Sequence, residues 1–360
     1  MSTVLSGAEA YSALHQGRSL EGAVIEGDCG PPAKRQSAPI EHPVRADGAE
    51  FRGSLNLTDH RFRAPVSFRG ARFLGPQLHW WRVLFEGDAD FSGAEFAGND
   101  TLFSQSEFRG AATSFREAHC RGTITNFRKV RFASRTLTFV GATFAGERTH
   151  FRETRFEGEG VDFSRARFTS SHETSFRMAE FHCGEAEFSG ADFSSRLIDC
   201  NETVFAPVTR MIGCSGSGSI VFCNVDLDRL ELRRTDLSRC EFRSPLRYRK
   251  KNVIGLATRR IVGDELRARP GEELDAAAVY RQIRAFYLQR SMPYEADWGD
   301  YRHHRDTKSA WEIYLSELAM LRRAKGILWP GNLVVPYAAL RALLARHPPT
   351  TVGSWHVAPR

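Results

Sequence analysis

The densest group of potentially reactive side chains is Arg302-His303-His304-Arg305-Asp306. Imidazole rings bind metals and transfer protons, so this group could serve either chemistry. Consecutive residues of a helix point about 100° apart, and His303 and His304 therefore cannot chelate one metal ion together. The group is interpreted as a charged helix face that is exposed to solvent or contacts a partner.

A second candidate is the glycine-rich stretch Gly213-Cys-Ser-Gly-Ser-Gly-Ser219. A phosphate-binding loop combines such glycines with a lysine between a strand and a helix, and both features are missing here. The stretch is interpreted as a wide corner of the chain. The sequence also has no Gly-x-Ser-x-Gly elbow, no His-Glu-x-x-His motif and no dinucleotide fingerprint. It therefore predicts a protein that is not an enzyme and binds no cofactor or metal.

The cysteines do not form a recognisable metal or redox motif, because no Cys-x-x-Cys occurs and the total of 7 is odd. Unclustered thiols of this kind are typical of buried positions in a reducing cytoplasm. No secretory signal is predicted, since the N-terminus lacks a basic region followed by an apolar run. The seven are Cys29, Cys120, Cys183, Cys200, Cys214, Cys223 and Cys240.

The chain is organised by an apolar, mostly aromatic residue that recurs at alternating spacings of five and six to eight. Neither a helix of period 3.6 nor a long strand of period 2 places such a series on one side. A coil that turns a corner after each short strand does. The series is Leu57, Phe62, Phe68, Phe73, Trp80, Phe85, Phe91, Phe96, Phe103, Phe108, Phe115, Cys120, Phe127, Phe132, Phe139, Phe144, Phe151, Phe156, Phe163, Phe168, Phe176, Phe181, Phe188, Phe193, Cys200 and Phe205.

Two further rules accompany the series. A small or β-branched residue, such as Ala71 or Ala94, lies two positions before each aromatic, and alternation turns both to the interior. Glycine recurs two positions after the aromatic, as at Gly70, Gly75 and Gly98, and is interpreted as the corner residue that adopts a positive φ.

From Phe222 to Phe242 the spacing becomes a strict five. The order of small residue, polar residue, Leu or Phe and two variable residues resembles the pentapeptide-repeat family over Leu57 to Phe242. The resemblance implies a mainly β fold, a right-handed quadrilateral β-helix with four short strands in each coil. The additional residues at every second corner predict bulges there. The spacings predict about eight coils, or a rod of roughly 38 Å.

Three regions are predicted. Residues 1–50 form an N-terminal cap with a Pro-rich linker, residues 51–245 the solenoid, and residues 246–360 a basic connector and an α-helical part. The connector is expected to hold one short helix within 255–273. Because a solenoid end exposes an apolar coil and unpaired strand edges, we expect the N-terminal segment to cover the first coil and the C-terminal helices to cover Phe242.

The C-terminal part is also the basic part. Residues 61–210 hold 20 Lys and Arg against 19 Asp and Glu, whereas residues 211–360 hold 25 against 16. Basic surfaces attract acidic partners, phosphates and anionic lipids. The predicted partner-binding residues are Arg247, Arg249, Lys250, Lys251, Arg281, Arg284, Arg302 and Arg305.

A narrower resemblance covers residues 279–305, which are similar to the helical hairpin that follows the repeats in pentapeptide-repeat proteins with an ion-channel-like segment. No pore helix follows here. The only long apolar stretch, residues 327–345, contains Pro330, Pro336 and Arg341, and a membrane span needs about 20 mostly apolar residues. No transmembrane segment is predicted.

The repeat thus predicts a non-enzymatic binding or scaffold protein that acts through its solenoid surface. Family resemblance offers an alternative, a modulator of DNA gyrase or another type II topoisomerase that imitates DNA and gives antibiotic resistance or self-protection. The nearly neutral net charge of the rod disfavours that alternative, because a DNA mimic needs a phosphate-like density of negative charge. A third hypothesis is a membrane-associated regulator related to the channel-linked proteins. The predicted partner is another protein, with gyrase a candidate. Homodimerisation, and nucleic-acid contact through the basic part, stay open.

Overall fold

The computed structural model describes residues 3–32, 38–243, 249–253, 257–291, 315–321 and 323–324. The fold is mainly β, a solenoid of parallel strands with about ten turns and helices near the C-terminus. Each turn adds short strands to four parallel sheets, which we call faces 1 to 4 in chain order. The predicted fold class is confirmed.

The strands of the four faces are short, and the chain visits the faces in the same order in every turn. Face 1 consists of Val4–Ser6, Val24–Glu26, Glu50–Phe51, Arg72–Phe73, Glu95–Phe96, His119–Cys120, Thr143–Phe144, Arg167–Phe168 and Asp192–Phe193. Face 2 consists of Leu55–Asn56, Gln77–His79, Asp100–Leu102, Ile124–Asn126, Arg148–His150, Glu173–Ser175, Leu197–Asp199, Ser219–Cys223 and Cys240–Arg243. Face 3 consists of Arg61–Phe62, Leu84–Phe85, Glu107–Phe108, Arg131–Phe132, Arg155–Phe156 and Glu180–Phe181. Face 4 consists of Val44–Arg45, Val66–Ser67, Ala89–Asp90, Ala112–Ser114, Thr136–Thr138, Gly160–Asp162, Glu185–Glu187, Val208–Arg210 and Leu230–Glu231.

The predicted number of about eight coils is too low, because the sheets begin before Leu57. Val24–Glu26 pairs with Glu50–Phe51 in face 1, and Val44–Arg45 pairs with Val66–Ser67 in face 4. The first turns use aliphatic rather than aromatic side chains, such as Ile25, which is fully buried.

The predicted aromatic series fills the interior. Every member from Leu57 to Phe205 is at most 3% exposed. Rings of successive coils stack face to face, as where Phe127 and Phe151 lie 5.0 Å apart at 4°. Aromatic residues from opposite sides of the coil meet edge to face, as Phe139 after face 4 and Phe151 after face 2 do at 5.9 Å. Both geometries are favourable for aromatic pairs, so each coil adds a packed layer to one continuous core.

Glycine serves two different purposes at the corners. Gly70 adopts φ 61° with open space around it, as predicted for a tight turn. Gly75 does not have a positive φ, and the prediction is wrong there. A Cβ atom at Gly75 would lie 1.9 Å from the carbonyl oxygen of Gly53 in the preceding coil. The wide corners therefore need glycine because two backbones pass very close together.

A helix, α1 (Gly7–Gln16), packs at the N-terminal end of the rod. Ser6 caps it, with its hydroxyl accepting the N–H of Glu9, and Gly17 ends it with φ 67°. Ala10, Ala13 and Leu14 are buried. The apolar side of α1 thus covers the first coil.

Two helices, α2 (Gly263–Arg267) and α3 (Glu273–Ser291), cover the last coil. Val279 and Ile283 of α3 are buried, and the ring of Phe286 packs edge-on against Phe242 at 5.5 Å. The side chain of Gln282 accepts the backbone N–H of Leu237 at 2.8 Å. The predicted α-helical cap over Phe242 is confirmed.

A further short segment, residues 315–321, is helical. Its Met320 is buried and Leu318 is half-buried. An antiparallel pair of strands, Arg249–Val253 and Ala257–Ile261, lies between the last coil and α2. We call this pair the basic ribbon. It occupies part of the segment for which only a connector was predicted, and α2 is the short helix expected within 255–273.

Candidate interaction surface

Face 1 carries a ladder of ion pairs that connects successive coils. Arg52 binds Glu26 and Glu50, both at 2.6 Å, and Arg72 continues the ladder to Glu50 at 2.7 Å and to Glu95 at 3.2 Å. Exposed pairs of this kind contribute little to stability. They do neutralise this part of the face, because Glu26, Glu50 and Glu95 each have a guanidinium beside them.

Face 3 is neutralised in the same way. Arg131 binds Glu107 of the coil before it at 2.8 Å and Glu157 of the coil after it at 2.9 Å. Glu107 also binds Arg109 at 2.7 Å. On these two faces, acidic and basic side chains are therefore paired locally.

Face 2 has a different surface. The central residue of each of its three-residue strands points inward. Most of the outer residues of six consecutive strands form its surface, whereas two of them, Ser175 and Asp199, are buried. Only four of these twelve outer residues are charged: Asp100, Arg148, Glu173 and Asp199. The others include half-buried aliphatic and imidazole groups, namely Leu102, Ile124, Leu197, His79 and His150. Low charge and exposed apolar groups are typical of the centre of a protein interface.

A tryptophan and an arginine stack at the corner that follows face 2. Trp80 is fully buried in the core, whereas Trp81 is 39% exposed. The guanidinium carbon of Arg82 lies 3.9 Å from the ring centre of Trp81. Arg82 also donates two hydrogen bonds of 2.6 Å to the carboxylate of Asp59 in the preceding coil. We call Asp59, Trp81 and Arg82 the Trp81 corner.

The geometry of the coil fixes this corner. Arg82 has φ 55° and Asp59 φ 61°, so both occupy the left-handed position of a tight turn. Backbone hydrogen bonds of Asp59 to Trp81 and of Arg82 to Ser104 hold the three coils in register. The hydrogen bonds from Arg82 lower the pKa of Asp59, which stays ionised and paired. The indole therefore has a fixed orientation before any partner binds.

The side chain of Trp81 is larger than those at the equivalent position of the adjacent coils. The equivalent residues of the adjacent coils are Thr58 and Ser104, which are much smaller. The exposed large apolar side chains among the described residues are Val4, Trp81, Met178, Leu266 and Leu274. Trp81 is the aromatic residue among these, and an arginine stacks on it.

A cavity of about 750 Å³ lies between α1 and the first strands of face 2. Its lining includes Tyr11 and His15 of α1, and Asn56, Gln77 and His79 of face 2. Trp81 follows His79 by two residues. The cavity and the Trp81 corner are therefore neighbouring parts of one surface.

A buried histidine holds α1 beside this cavity. His60 is 1% exposed, and its Nδ1 lies 3.0 Å from the carbonyl oxygen of Thr58. A carbonyl oxygen only accepts, so Nδ1 carries the proton and Nε2 accepts from the hydroxyl of Tyr11 at 2.9 Å. The ring of His15 lies 5.9 Å from that of His60, and its Nε2 is buried without a hydrogen bond. Burial lowers the pKa of both histidines, which keeps them neutral.

Two of the predicted partner-binding arginines have an internal partner. Arg281 binds Glu317 at 3.2 Å and Arg284 binds it at 3.1 Å, while the side chain of Glu317 is only 5% exposed. The side chain of Arg284 is itself only 18% exposed. These two arginines attach α3 to the segment 315–321.

The other predicted residues are distributed differently. Arg249, Lys250 and Lys251 lie in the first strand of the basic ribbon, opposite Ile261, Arg260 and Arg259. Arg247, Arg302 and Arg305 lie outside the described residues, as do His303 and His304. The glycine-rich stretch 213–219 links the second-to-last strands of faces 4 and 2, Val208–Arg210 and Ser219–Cys223. Gly216 has φ 137° there and passes against the backbone of Phe193.

Sequence reasoning did not single out the Trp81 corner. The signal was available in the pair Trp80-Trp81, because alternation along a strand places one of two consecutive residues inside and the next outside. Among the described residues no group of three His, Cys, Asp or Glu side chains is arranged to hold a metal ion. No helix in the described ranges is long and apolar enough to span a membrane.

Four parallel sheets joined by short corners define the class of this protein, a quadrilateral β-solenoid. Residues 46–95 match the family model for pentapeptide repeats (9 copies). Together with this match, the four-sided solenoid is consistent with a pentapeptide-repeat β-helix. No curated protein and no solved structure matches the chain.

Proposed function

We propose that this chain is a non-enzymatic interaction scaffold that binds a protein partner on face 2, with the Trp81 corner as the anchor. The carrying observation is an exposed tryptophan that Arg82 and Asp59 hold in place. Tryptophan and arginine dominate the binding energy of many interfaces. A side chain that is already oriented loses little conformational freedom on binding.

The charge distribution supports face 2 over faces 1 and 3. A partner on face 1 or face 3 would have to desolvate or replace ion pairs such as Arg131–Glu107, which costs binding energy. Face 2 has few such pairs and offers Leu102 and Ile124 beside the polar Asn126. This mixture suits a partner with a partly apolar surface and hydrogen-bonding groups at its rim.

The test compares Trp81→Ala with Met178→Ala as a matched control. Met178 is 46% exposed and occupies the left-handed position of the same corner four coils away, with φ 57°. The tagged proteins are used to capture partners from the native cell, and the partner is then purified for affinity measurements. Trp81→Ala should weaken binding at least about 10-fold, and Met178→Ala by less than about 2-fold. Unchanged affinity of Trp81→Ala for that partner would contradict the proposal.

One feature supports the alternative that this chain imitates DNA and binds a topoisomerase, namely the acidic residues of face 4. Asp88 and Asp90 form one group, and Asp162, Glu185 and Glu187 form another. Three strand steps, about 14 Å, separate Asp90 from Asp162, whereas duplex DNA carries one charge per about 1.7 Å. The scaffold is the better supported proposal. Supercoiling by DNA gyrase should be unchanged by micromolar protein, and inhibition would reverse this preference.

The cytoplasmic assignment belongs to the same proposal. All seven cysteines are free, and six of them are buried, which suits a reducing compartment. The hypothesis of a membrane-associated regulator is supported only by the similarity of residues 279–305 to the hairpin of channel-linked proteins. Residues 292–305 of that segment lie outside the described ranges.

A further inference from the structure

Two charged outer residues of face 2, Asp100 and Arg148, form no ion pair with any residue that the structure describes. Asp100 is half-buried and Arg148 is exposed. The other charged outer residues have internal partners, since Glu173 binds Arg152 at 2.6 Å and the buried Asp199 accepts a backbone N–H at 3.0 Å. One aspartate and one arginine on this face are therefore available for opposite charges on a partner.

These two charges are placed symmetrically about Ile124. The register of the strands pairs Asp100 with Ile124 and Ile124 with Arg148, so the three residues form one row along the rod. Neighbouring strands are about 4.8 Å apart, and each charge is one such step from Ile124. A two-fold axis that passes over Ile124, parallel to the strands, would therefore bring Asp100 of each copy opposite Arg148 of the other.

The second row of face 2 is compatible with the same symmetry. It consists of Leu102, Asn126 and His150 in the same three coils, and all three are half-buried. The two-fold axis would place Leu102 opposite His150 of the second copy, and Asn126 opposite its own equivalent. Burial lowers the pKa of His150, so its neutral ring can pack against an aliphatic side chain. Charged residues thus meet opposite charges, and uncharged residues meet uncharged ones.

A parallel arrangement of two copies is less complementary. With the two-fold axis along the rod, each outer residue would lie opposite the other outer residue of the same strand. Asp100 would then face Leu102, and Arg148 would face His150. Both charges would lose water without gaining an opposite charge, which costs binding energy. The antiparallel arrangement is therefore favoured.

We infer that face 2 binds a second copy of this chain in antiparallel orientation, with Ile124 at the two-fold axis and an Asp100–Arg148 ion pair on each side of it. Two-fold dimers are the commonest oligomers, and packed sheets lie about 10 Å apart, a gap that arginine and aspartate side chains span together. The inference rests on the proposed function, because it assigns a partner to face 2. The Trp81 corner lies beside the two rows, so variants of Trp81 test the anchor and not these ion pairs. The contact is narrow, and a dissociation constant in roughly the micromolar range is expected.

The experiment measures dimerisation of the full-length protein by sedimentation velocity at about 1 to 200 µM. The wild type should form dimers. Arg148→Asp places an aspartate opposite Asp100 on both sides of the axis, and Asp100→Arg places an arginine opposite Arg148, so each variant should weaken the dimer at least about 10-fold. An equimolar mixture of the two variants should dimerise again, because each contact between them then holds one aspartate and one arginine.

The matched control is Arg167→Asp, an identical change of charge at an exposed position of face 1. It should change the dissociation constant of the dimer by less than about 2-fold. A wild type that stays monomeric at about 200 µM would overturn the inference, as would single variants that dimerise like the wild type or a mixture that stays monomeric. None of these results contradicts the proposed function, which the affinity of Trp81→Ala for a captured partner tests separately.

Discussion

The carboxylate of Asp264 accepts the backbone N–H of Leu232 at 2.8 Å and that of Arg233 at 2.9 Å. Inside the solenoid, a carbonyl group of the following coil accepts such an N–H. Leu230–Glu231 is the last strand of face 4 in the described ranges, and one side chain from α2 takes the place of that carbonyl group. Asp264 therefore ends the parallel sheet without leaving buried donors unpaired.

Asp264 should make the C-terminal cap sensitive to pH. Burial raises the pKa of Asp264 to about 7, above the value of an exposed aspartate. The folded state then holds a proton that the unfolded state has lost between about pH 4 and 7, so the contribution of this group to stability falls as pH rises through that window. Hydrogen exchange of the Leu232 and Arg233 amides should be slower at pH 5 than at pH 7.5 after correction for intrinsic rates.

The matched variant is Asp264→Asn, which keeps one acceptor and cannot ionise. It should remove most of the pH dependence of these two amides. A control change, Asp275→Asn, affects the exposed pair of Asp275 with Arg234 and should leave that dependence in place. An equally strong pH dependence in Asp264→Asn would show that another group is responsible.

The aromatic core should dominate the stability of the rod. Phe151 is fully buried between Phe127 and Phe176, and Phe151→Ala should lower the free energy of unfolding by about 3–5 kcal/mol. Arg165 is exposed, and Arg165→Ala should change the free energy of unfolding by less than about 0.5 kcal/mol. Urea denaturation followed by circular dichroism measures both. Similar losses for the two variants would contradict the inward register.

The two kinds of corner glycine should respond differently to an added methyl group. Gly70→Ala strains a left-handed residue in open space and should cost about 1–2 kcal/mol. Gly75→Ala should cost more than about 3 kcal/mol, because its Cβ would overlap the carbonyl oxygen of Gly53 and two coils would have to separate. Thermal unfolding of the two variants provides the comparison, and a larger loss for Gly70→Ala would refute this explanation of the wide corners.

Acid should loosen α1. Burial lowers the pKa of His60 and of His15, so the unfolded state binds protons first and the stability of this region falls as pH decreases below about 6.5. Tyr11, His15 and Asp59 face His60. The backbone carbonyls of Thr58 and Leu57 and the charge of Asp59 favour the charged form of His60, but burial outweighs them and lowers its pKa. Hydrogen exchange of the α1 amides should accelerate at pH 5 relative to pH 7.5. A double variant, His15→Leu with His60→Leu, should lose this pH dependence. If the dependence persists in the double variant, other groups must cause it.

The repeat predicted which residues form the core. It did not predict the structure at the two ends of the solenoid or the positions that depart from the repeat. Phe127 and Phe151 could be placed because the same pattern recurs in every coil. The first turns were missed because Ile25 and Val44 replace the aromatic residues there. The ribbon was missed because its strands are held by cross-strand pairing, which no local period shows. Arg82 occupies a left-handed position without glycine, so the usual sequence signal for such a turn is absent.

Because the strands of face 2 follow each other at a constant spacing, the number of coils sets the distance between two sites on the rod. Seven strand steps lead from Gln77–His79, beside Trp81, to the final strand Cys240–Arg243, a distance of about 33 Å. Gain or loss of one coil would shift the two ends relative to each other by about 4.8 Å and leave the residues of each end unchanged. Selection on the number of coils could therefore tune how far apart two bound molecules are held, independently of how tightly either is bound.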